Sequence, residues 1–446
     1  MNITSKHGEG SHLIVDAFEC DAALLNNPDF ITSFLQEFPD LIDMTPITEP
    51  TVKNHVAENP DDSGITGFII IAESHISIHT YPDRQFASID IFSCREFDVN
   101  KAVEIIKEKF TPGRVERNVL HRGFRENLDA ESFCEPIEGP TITKNTTVFE
   151  FMQNAKSIGF QATHLGQSLD VLRTMRKNNA TIFMSFTSNM VSSGLREVFA
   201  QIVKEKLVDV IITSVGSIEE DLMKTVKPFL RGTFNSNDVE LHKKGINRIG
   251  NIYVPDDRYE QLEDQLIPIF KQAYEEQQQT GKLISPSALI RKIGETVTDN
   301  NSILYWSVKN NIPIFCPAIT DGALGLQLFF FKQKFNEFGI DTTADMKELA
   351  SHVLNAQTTA GIILGGGVAK HHLIGINILR EGLDYAIYVT TAKEGDGSLS
   401  GARPKEAKSW SKLKEDANNV CIDADATIVF PLIAIAMKEI LGGRHE

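Results

Sequence analysis

The chain lacks any surplus of positive charge. Its 446 residues carry 44 Lys and Arg against 60 Asp and Glu, a formal charge of −16, and no basic stripe interrupts the acidic background. That argues against nucleic acid or an anionic membrane as partner and suits cationic small molecules. Cysteine is scarce: Cys20, Cys94, Cys134, Cys316 and Cys421 form an odd, scattered set without a CxxC pair. Such a set reads as reduced thiols in a cytoplasmic protein, and no metal is expected. No apolar run approaches the roughly 20 residues of a membrane helix. The segment Met1–Gly8 has no apolar core, so no signal peptide is expected either. A complete GxGxxG is missing, and with it the standard dinucleotide fingerprint.

What is present divides into two parts of α/β character joined by a linker, within a length that allows two or three domains. In residues 1–125, His12–Phe18 reads as a strand and Ala22–Phe38 as a helix interrupted at Pro28. Gly67–Thr80 is β-rich, a turn at Tyr81–Arg84 follows, and Gln85–Cys94 is a second strand. Asn100–Phe110 places Ala102, Val103, Ile106 and Phe110 on one helical face, ended by Pro112-Gly113. The expected architecture is a two-layer α/β sandwich on an antiparallel sheet. Ser74, His75, His79 and Cys94 are its reactive side chains; on residue types alone they would also pass for ordinary strand residues and a small buried thiol.

The run Glu73-Ser-His-Ile-Ser-Ile-His-Thr-Tyr-Pro, followed by Ile-Asp-Ile-Phe-Ser-Cys94, resembles the bacterial and archaeal S-adenosylmethionine decarboxylase family. The resemblance implies that the chain cuts itself between Glu73 and Ser74. The Ser74 hydroxyl attacks the Glu73 carbonyl, elimination and hydrolysis follow, and a pyruvoyl group caps the new chain. Its keto carbon captures a substrate amine as an imine and accepts electrons as CO₂ leaves. The resemblance also implies that His79 assists cleavage, that Cys94 returns a proton, and that Asp83 contacts substrate. On a regular strand Ser74 and His79 point to opposite faces, so a bend or the chain break must bring them together. Two departures bear on substrate. Asn54–Gly64 lacks the family's usual aromatic residue, and Asp83 stands where a glutamate is usual. A base stacked on an aromatic ring gains about 1–3 kcal/mol, so a small basic amino acid, ornithine or arginine, is favoured over an adenosyl substrate.

Residues 126–145 are polar, contain Pro136 and Pro140, and show neither periodicity; they read as the linker. From 146 to 446, buried strands alternate with amphipathic helices: Ala180–Phe186, Val208–Thr213, Pro313–Phe315, Gly361–Leu364, Tyr385–Thr390 and Thr427–Phe430. That pattern implies a parallel, doubly wound, Rossmann-like domain. Ile362–His372 reads as a strand, a glycine loop and a helix whose bare N–H groups suit a phosphate, or equally as a tight turn. In Asp396–Lys412, Pro404 suits the first turn of a helix. Glu406 and Trp410 then share a face where carboxylate and indole can box in a cation. Lys412 lies roughly 200° further round, so either the helix ends before it or it reaches the pocket from another direction. By itself the stretch would also pass for a helix start with a solvated lysine.

Thr187–Gly194, Ile218–Asp221, Gly245–Asn251, Pro317–Gly322, Gly365–His372, Gly397–Lys412 and Asp425–Thr427 together resemble the deoxyhypusine synthase family, which includes homospermidine synthases. The resemblance makes Lys412 the nucleophile that holds an aminobutyl group. His371, Glu406, Trp410, Glu219 and Glu220 match polyamine-binding positions. Ser188, Asn189, Met190, Val191, Ser192, Ser214, Val215, Gly216, Asp321, Gly367, Thr391, Ala392, Asp425 and Ala426 match positions near NAD, which stores a hydride and returns it. Leu326 and Leu399 stand where the family usually carries aspartates. An ammonium buried without its carboxylate costs roughly 3–5 kcal/mol, so a short diamine such as putrescine is expected to fit better than spermidine. The resemblances imply a homo-oligomer, a tetramer through the large domain and a dimer through the small one. The expectation is a bifunctional enzyme making putrescine and then homospermidine. Its competitors are S-adenosylmethionine decarboxylation with deoxyhypusine synthesis on a translation-factor lysine, and a catalytically dead polyamine-binding regulator.

Overall fold

The computed structural model describes residues 10–122 and 134–443. Contacts divide the chain after Cys134 into two compact units. The expected linker falls partly outside the described residues; from Glu135 to Thr147 the backbone has no helix or strand.

The first unit is one six-stranded antiparallel sheet. Its strands are β1 (Gly10–Phe18), β2 (Thr51–His55), β3 (Gly64–Ile71), β4 (Ser74–Tyr81), β5 (Phe86–Ser93) and β6 (Arg114–Arg122), in the order β2-β3-β4-β5-β1-β6. Alternation sends Leu13, Val15, Ile69, Ile76, Ile78, Ile89 and Ile91 to one face, all fully buried. The helices Pro28–Leu41 and Val99–Phe110 cover that face, meeting it through Ile31, Phe34, Leu35, Phe38, Ala102, Ile106 and Phe110. Gly67 lets the first helix come close: a Cβ there would stand 2.6 Å from Leu35 Cδ1. The interruption expected at Pro28 is present: a short helix, Ala22–Leu25, ends before it, and Pro28 starts the next, with the Asn27 side chain accepting from the Asp29 and Phe30 N–H groups. The span read as continuous, Gly67–Thr80, is a hairpin instead, turned through Ala72 and Glu73.

The second unit is built on a parallel sheet of β7 (Thr181–Phe186), β8 (Val210–Thr213), β12 (Ile314–Phe315), β13 (Thr359–Leu364), β14 (Leu383–Thr390) and β15 (Leu413–Asp423). The order is β12-β8-β7-β13-β14-β15. Strands β9 (Leu230–Arg231), β10 (Ile246–Ile249) and β11 (Ile252–Pro255) form a small antiparallel sheet. In the large sheet, Ile182, Met184, Ile362 and Val389 face one core, and Phe183, Ile212, Ile363 and Tyr388 face the other. The expected strand Thr427–Phe430 is helical, part of Ala426–Leu441. Asp425 caps that helix by accepting from Thr427 N–H at 2.7 Å, which outweighs the β-branched run. The sixth strand is β15, whose polar sequence hides it and which, among the described residues, pairs with β14 alone.

Arg196 is an internal tie, 3% exposed. Its Nε donates to Asp221 Oδ1 at 2.5 Å and its Nη2 to Asp299 Oδ2 at 2.7 Å. Asp221 Oδ2 also accepts from Ser302 Oγ and Leu304 N–H. Asp221→Ala leaves a buried guanidinium short of a partner and is expected to cost about 3–5 kcal/mol in urea unfolding of the second unit.

Candidate functional sites

In the first unit the Glu73–Ser74 bond lies where the β3–β4 turn enters β4. Glu73 is held from three sides: its carbonyl accepts from Cys94 N–H at 3.0 Å, and its Oε2 accepts from Thr45 N–H at 3.3 Å. Arg95 Nη1 stands 3.7 Å from its Oε1. Ser74 pairs with Ile71 and with Ser93, so Cys94, which is exposed, is the next residue along from its partner. The structure thus brings Glu73, Ser74 and Cys94 together. His79 is elsewhere: β4 keeps unbroken register, and the ring sits on its other face with Nδ1 3.1 Å from Thr66 Oγ1. Five residues of strand separate it from Ser74 by roughly 16 Å. Within one uncut chain no bend closes that gap. Asp83 is exposed on the turn at the far end of β4. The imidazole that does meet Ser74 is His75, Nδ1 to Oγ 3.1 Å.

In the second unit the chain runs outward from β7 through β8 to β12, then returns to build β13, β14 and β15 on the other side. The switch between β7 and β13 opens a crevice at the carboxyl ends of the strands. A cavity of about 280 Å³ lies there, lined by Asn189, Met190, Gly365, Gly366, Thr391, Ala392, Asp425 and Ala426 among others. Gly365 (φ 80°) and Gly367 (φ 62°) take the left-handed conformation. A Cβ at Gly366 would strike Ser400 Oγ at 2.3 Å, and one at Gly367 would meet nothing. At the start of the Gly367–Ile376 helix, Gly367 N–H donates to Ser400 Oγ at 3.0 Å, while Gly365 and Gly366 bring side-chain-free backbone to the cavity wall, which suits close approach of a dinucleotide. Of the positions expected near NAD, Ser188, Val191, Ser192, Ser214, Val215, Gly216, Asp321 and Gly367 are not in the lining of this cavity. Val191 and Val215 are core residues. Ser188 and Ser214 meet beyond β8, where Ser188 N–H donates to Ser214 Oγ at 3.2 Å.

A second cavity, of about 320 Å³, is lined by His371, Glu406, Trp410 and Lys412 with Lys370, Tyr388 and Leu399. The local chain explains the convergence. Pro404 opens a short helix, Pro404–Lys408, and Ser411 then takes φ 52°. That left-handed residue lets Lys412 N–H donate to Ala407 O at 3.0 Å and swings the lysine back. Its Nζ stands 5.2 Å from the centre of the Trp410 ring. Leu399 and Ser400 belong to the loop separating the two cavities, one facing each.

Sequence reasoning missed Lys370. It is buried, and its Nζ donates to Leu399 O and Ala402 O, both at 2.7 Å, over the Tyr388 ring. Burial pushes its pKa down to about 8. The signal was its place three residues after Gly367, on the inward face of the helix. The Tyr388 hydroxyl, also buried, has no hydrogen-bond partner among the described residues. Glu219 and Glu220 are not in the lining of the Lys412 cavity. Glu219 Oε2 accepts from Leu324 N–H at 2.8 Å, and Glu220 from Ser192 Oγ at 2.5 Å. Leu326 is exposed on the Ala323–Lys334 helix, outside the cavity lining. Among the described residues no group of three or more His, Cys, Asp or Glu could hold a metal ion, and no helix is long and apolar enough to cross a membrane.

These features define the second unit as a doubly wound α/β domain of Rossmann strand order, with a lysine-bearing polar cavity beside its switch point. Residues 150–437 match the family model of deoxyhypusine synthase, and residues 11–123 match that of S-adenosylmethionine decarboxylase. A "Probable deoxyhypusine synthase" of Thermococcus gammatolerans is 46% identical over 311 residues, 67% of this chain and 93% of that protein. One from Methanocaldococcus jannaschii is 44% identical over 330 residues, 71% of this chain and 99% of that protein. A solved structure of a candidate deoxyhypusine synthase from Entamoeba histolytica, 28% identical, superposes with a TM-score of 0.50 over 67% of this chain and 96% of its own. The chain belongs to the deoxyhypusine synthase family, and carries an S-adenosylmethionine decarboxylase-like domain ahead of that region.

Burial raises the Glu220 pKa to about 7, from an ordinary 4.5. A raised carboxyl pKa favours the protonated form, so ionisation costs folding stability as pH climbs from the ordinary value through about 7. Glu220→Gln is therefore expected to raise unfolding free energy at pH 8 and to change little at pH 4. If Glu220 receives an ammonium, diamine affinity by calorimetry rises about tenfold from pH 6 to 8, following the ionised fraction, and the variant shows no such rise.

Proposed function

We propose that the chain is a bifunctional enzyme of polyamine synthesis. The first unit decarboxylates a small basic amino acid, ornithine in preference to arginine, with a pyruvoyl group made from Ser74. The second unit joins aminobutyl units from putrescine into homospermidine with NAD. The observation that carries the reading is the cavity in which Lys412, Glu406, Trp410 and His371 converge beside an apolar wall at Leu399. That wall offers no carboxylate where a longer polyamine needs one, and a short diamine can manage with Glu406. The exposed Leu326 bears less directly on this, because it is not in the cavity lining. For the first unit, support comes from a 54–64 segment without an aromatic residue and from the short side chain at Asp83.

The chain's own residues divide the work. The Glu406 carboxylate and the Trp410 face hold an ammonium. The amine of Lys412 captures the aminobutyl carbon as the first amine leaves as ammonia, and the amine of a second putrescine then displaces the lysine. Lys370 fixes the loop between the cavities. Asn189, Gly366, Thr391 and Asp425 would hold NAD, which when bound takes up and returns the hydride. Both units would act in a cytoplasmic homo-oligomer.

A second reading has support in the relatives, which are named deoxyhypusine synthases: S-adenosylmethionine decarboxylation, with aminobutyl transfer to a translation-factor lysine. The purified protein should be given ornithine, arginine or S-adenosylmethionine, with and without NAD, and the amines chromatographed. Ornithine is expected to be consumed fastest, giving putrescine alone without NAD and homospermidine with it. Preferred turnover of S-adenosylmethionine, or transfer only to protein, would refute the reading. Lys412→Ala should stop the sequence at putrescine. Trp410→Ala should weaken diamine binding by about 0.5–2 kcal/mol, read as a higher KM.

A further inference from the structure

We propose, resting on the reading of the glycine crevice as the NAD site, that Lys224 is a positioning residue there: its ammonium sets where Asn189 and Met190 stand in the cavity wall. Those two residues open a one-turn helix, Asn189–Ser192, and line the cavity. A single turn does not hold itself, because it closes too few hydrogen bonds to offset the order it requires. Burial of Met190 and Val191 keeps it against the core. Apolar packing is non-directional, however, and leaves its rotation open. Lys224 closes that freedom. It ends the helix Val215–Lys224, which follows β8, and its Nζ donates to Val191 O at 2.6 Å and to Ser192 O and Ser193 O at 2.8 Å each. All three ammonium protons are thereby used on the carboxyl end of the turn, where a helix leaves its carbonyls without partners of its own.

One helical turn before Lys224, Glu220 accepts from Ser192 Oγ. Two side chains of one helix thus grip the turn whose first residues face the crevice. Burial draws the Lys224 pKa down to about 8, against the pull of Glu197, Glu220 and Asp221, so at pH 7 the ammonium keeps its protons. Lys370 acts in the same way on another part of the wall, holding the loop that carries Ser400, which lines the same cavity. The crevice is bounded by two segments, each held by one ammonium given to backbone carbonyls. Lys224 itself is not in the lining of either the crevice or the Lys412 cavity, so it acts on a dinucleotide only through the turn.

NAD binding to the full chain is followed by calorimetry at pH 7. Lys224→Met, which keeps the stem and removes the donors, is expected to raise the Kd for NAD about 3–30-fold. Saturating NAD should then restore kcat for amine transfer, the split of a residue that acts on binding alone. Lys224→Arg, which keeps charge and donors, should recover most of the affinity, a rescue that simple filling of space would not give. Lys224→Gln is titrated in place of the methionine variant if that chain does not fold. An unchanged Kd, an arginine variant as weak as the uncharged one, or a kcat still depressed at saturating NAD would overturn the proposal and leave the NAD reading standing. A wild-type chain that binds no NAD would overturn both.

Discussion

A buried ammonium fixes the geometry of the second unit. Lys370 sits inside the fold with its charge given to two backbone carbonyls, those of Leu399 and Ala402. A cation so placed must keep those acceptors, because an unpaired one would cost several kcal/mol. The 397–403 loop is therefore pinned as a partition, with Ser400 facing the glycine crevice and Leu399 facing the lysine cavity. Arg403 continues the clamp by pairing with Asp423 at the end of β15. The short helix, the left-handed Ser411 and Lys412 follow from that anchored point. What the partition separates are two cavities, one at the glycine crevice and one around Lys412.

Much of this was legible in the residues, wherever periodicity or a special residue forced one answer. Continuous apolar strands gave the parallel sheet. Pro404 marked a helix start, and the i, i+4 pair Glu406 and Trp410 marked a shared face. Lys412 was not placeable, because its direction depends on one positive φ at a serine, which no propensity announces. Strand β15 was missed since an edge strand need not be apolar, and Thr427–Phe430 was misread because a cap and a tertiary contact outrank β-branching. In the first unit, a two-residue turn made of alanine and glutamate carries none of the glycine or asparagine that normally flags a hairpin.

That same turn is where Glu73, Ser74 and the Cys94 backbone gather, and the sheet around it determines which groups can meet. Cross-strand pairing sets Ser74 against Ser93, and so brings the Cys94 backbone onto the Glu73 carbonyl. Alternation along β4 places His79 at the other end and on the other face. Residue identity suggested a partnership that strand geometry within one chain does not provide.

The location of the Glu73–Ser74 bond has one more consequence. A hairpin turn is the only part of two paired strands that carries no ladder bonds to a neighbouring strand of its own hairpin. Severing the backbone there would leave β3 and β4 zipped along six residue pairs from Thr66–His79 to Ile71–Ser74. The pieces would remain one body, and the freed end would be delivered already docked, with no search for its place.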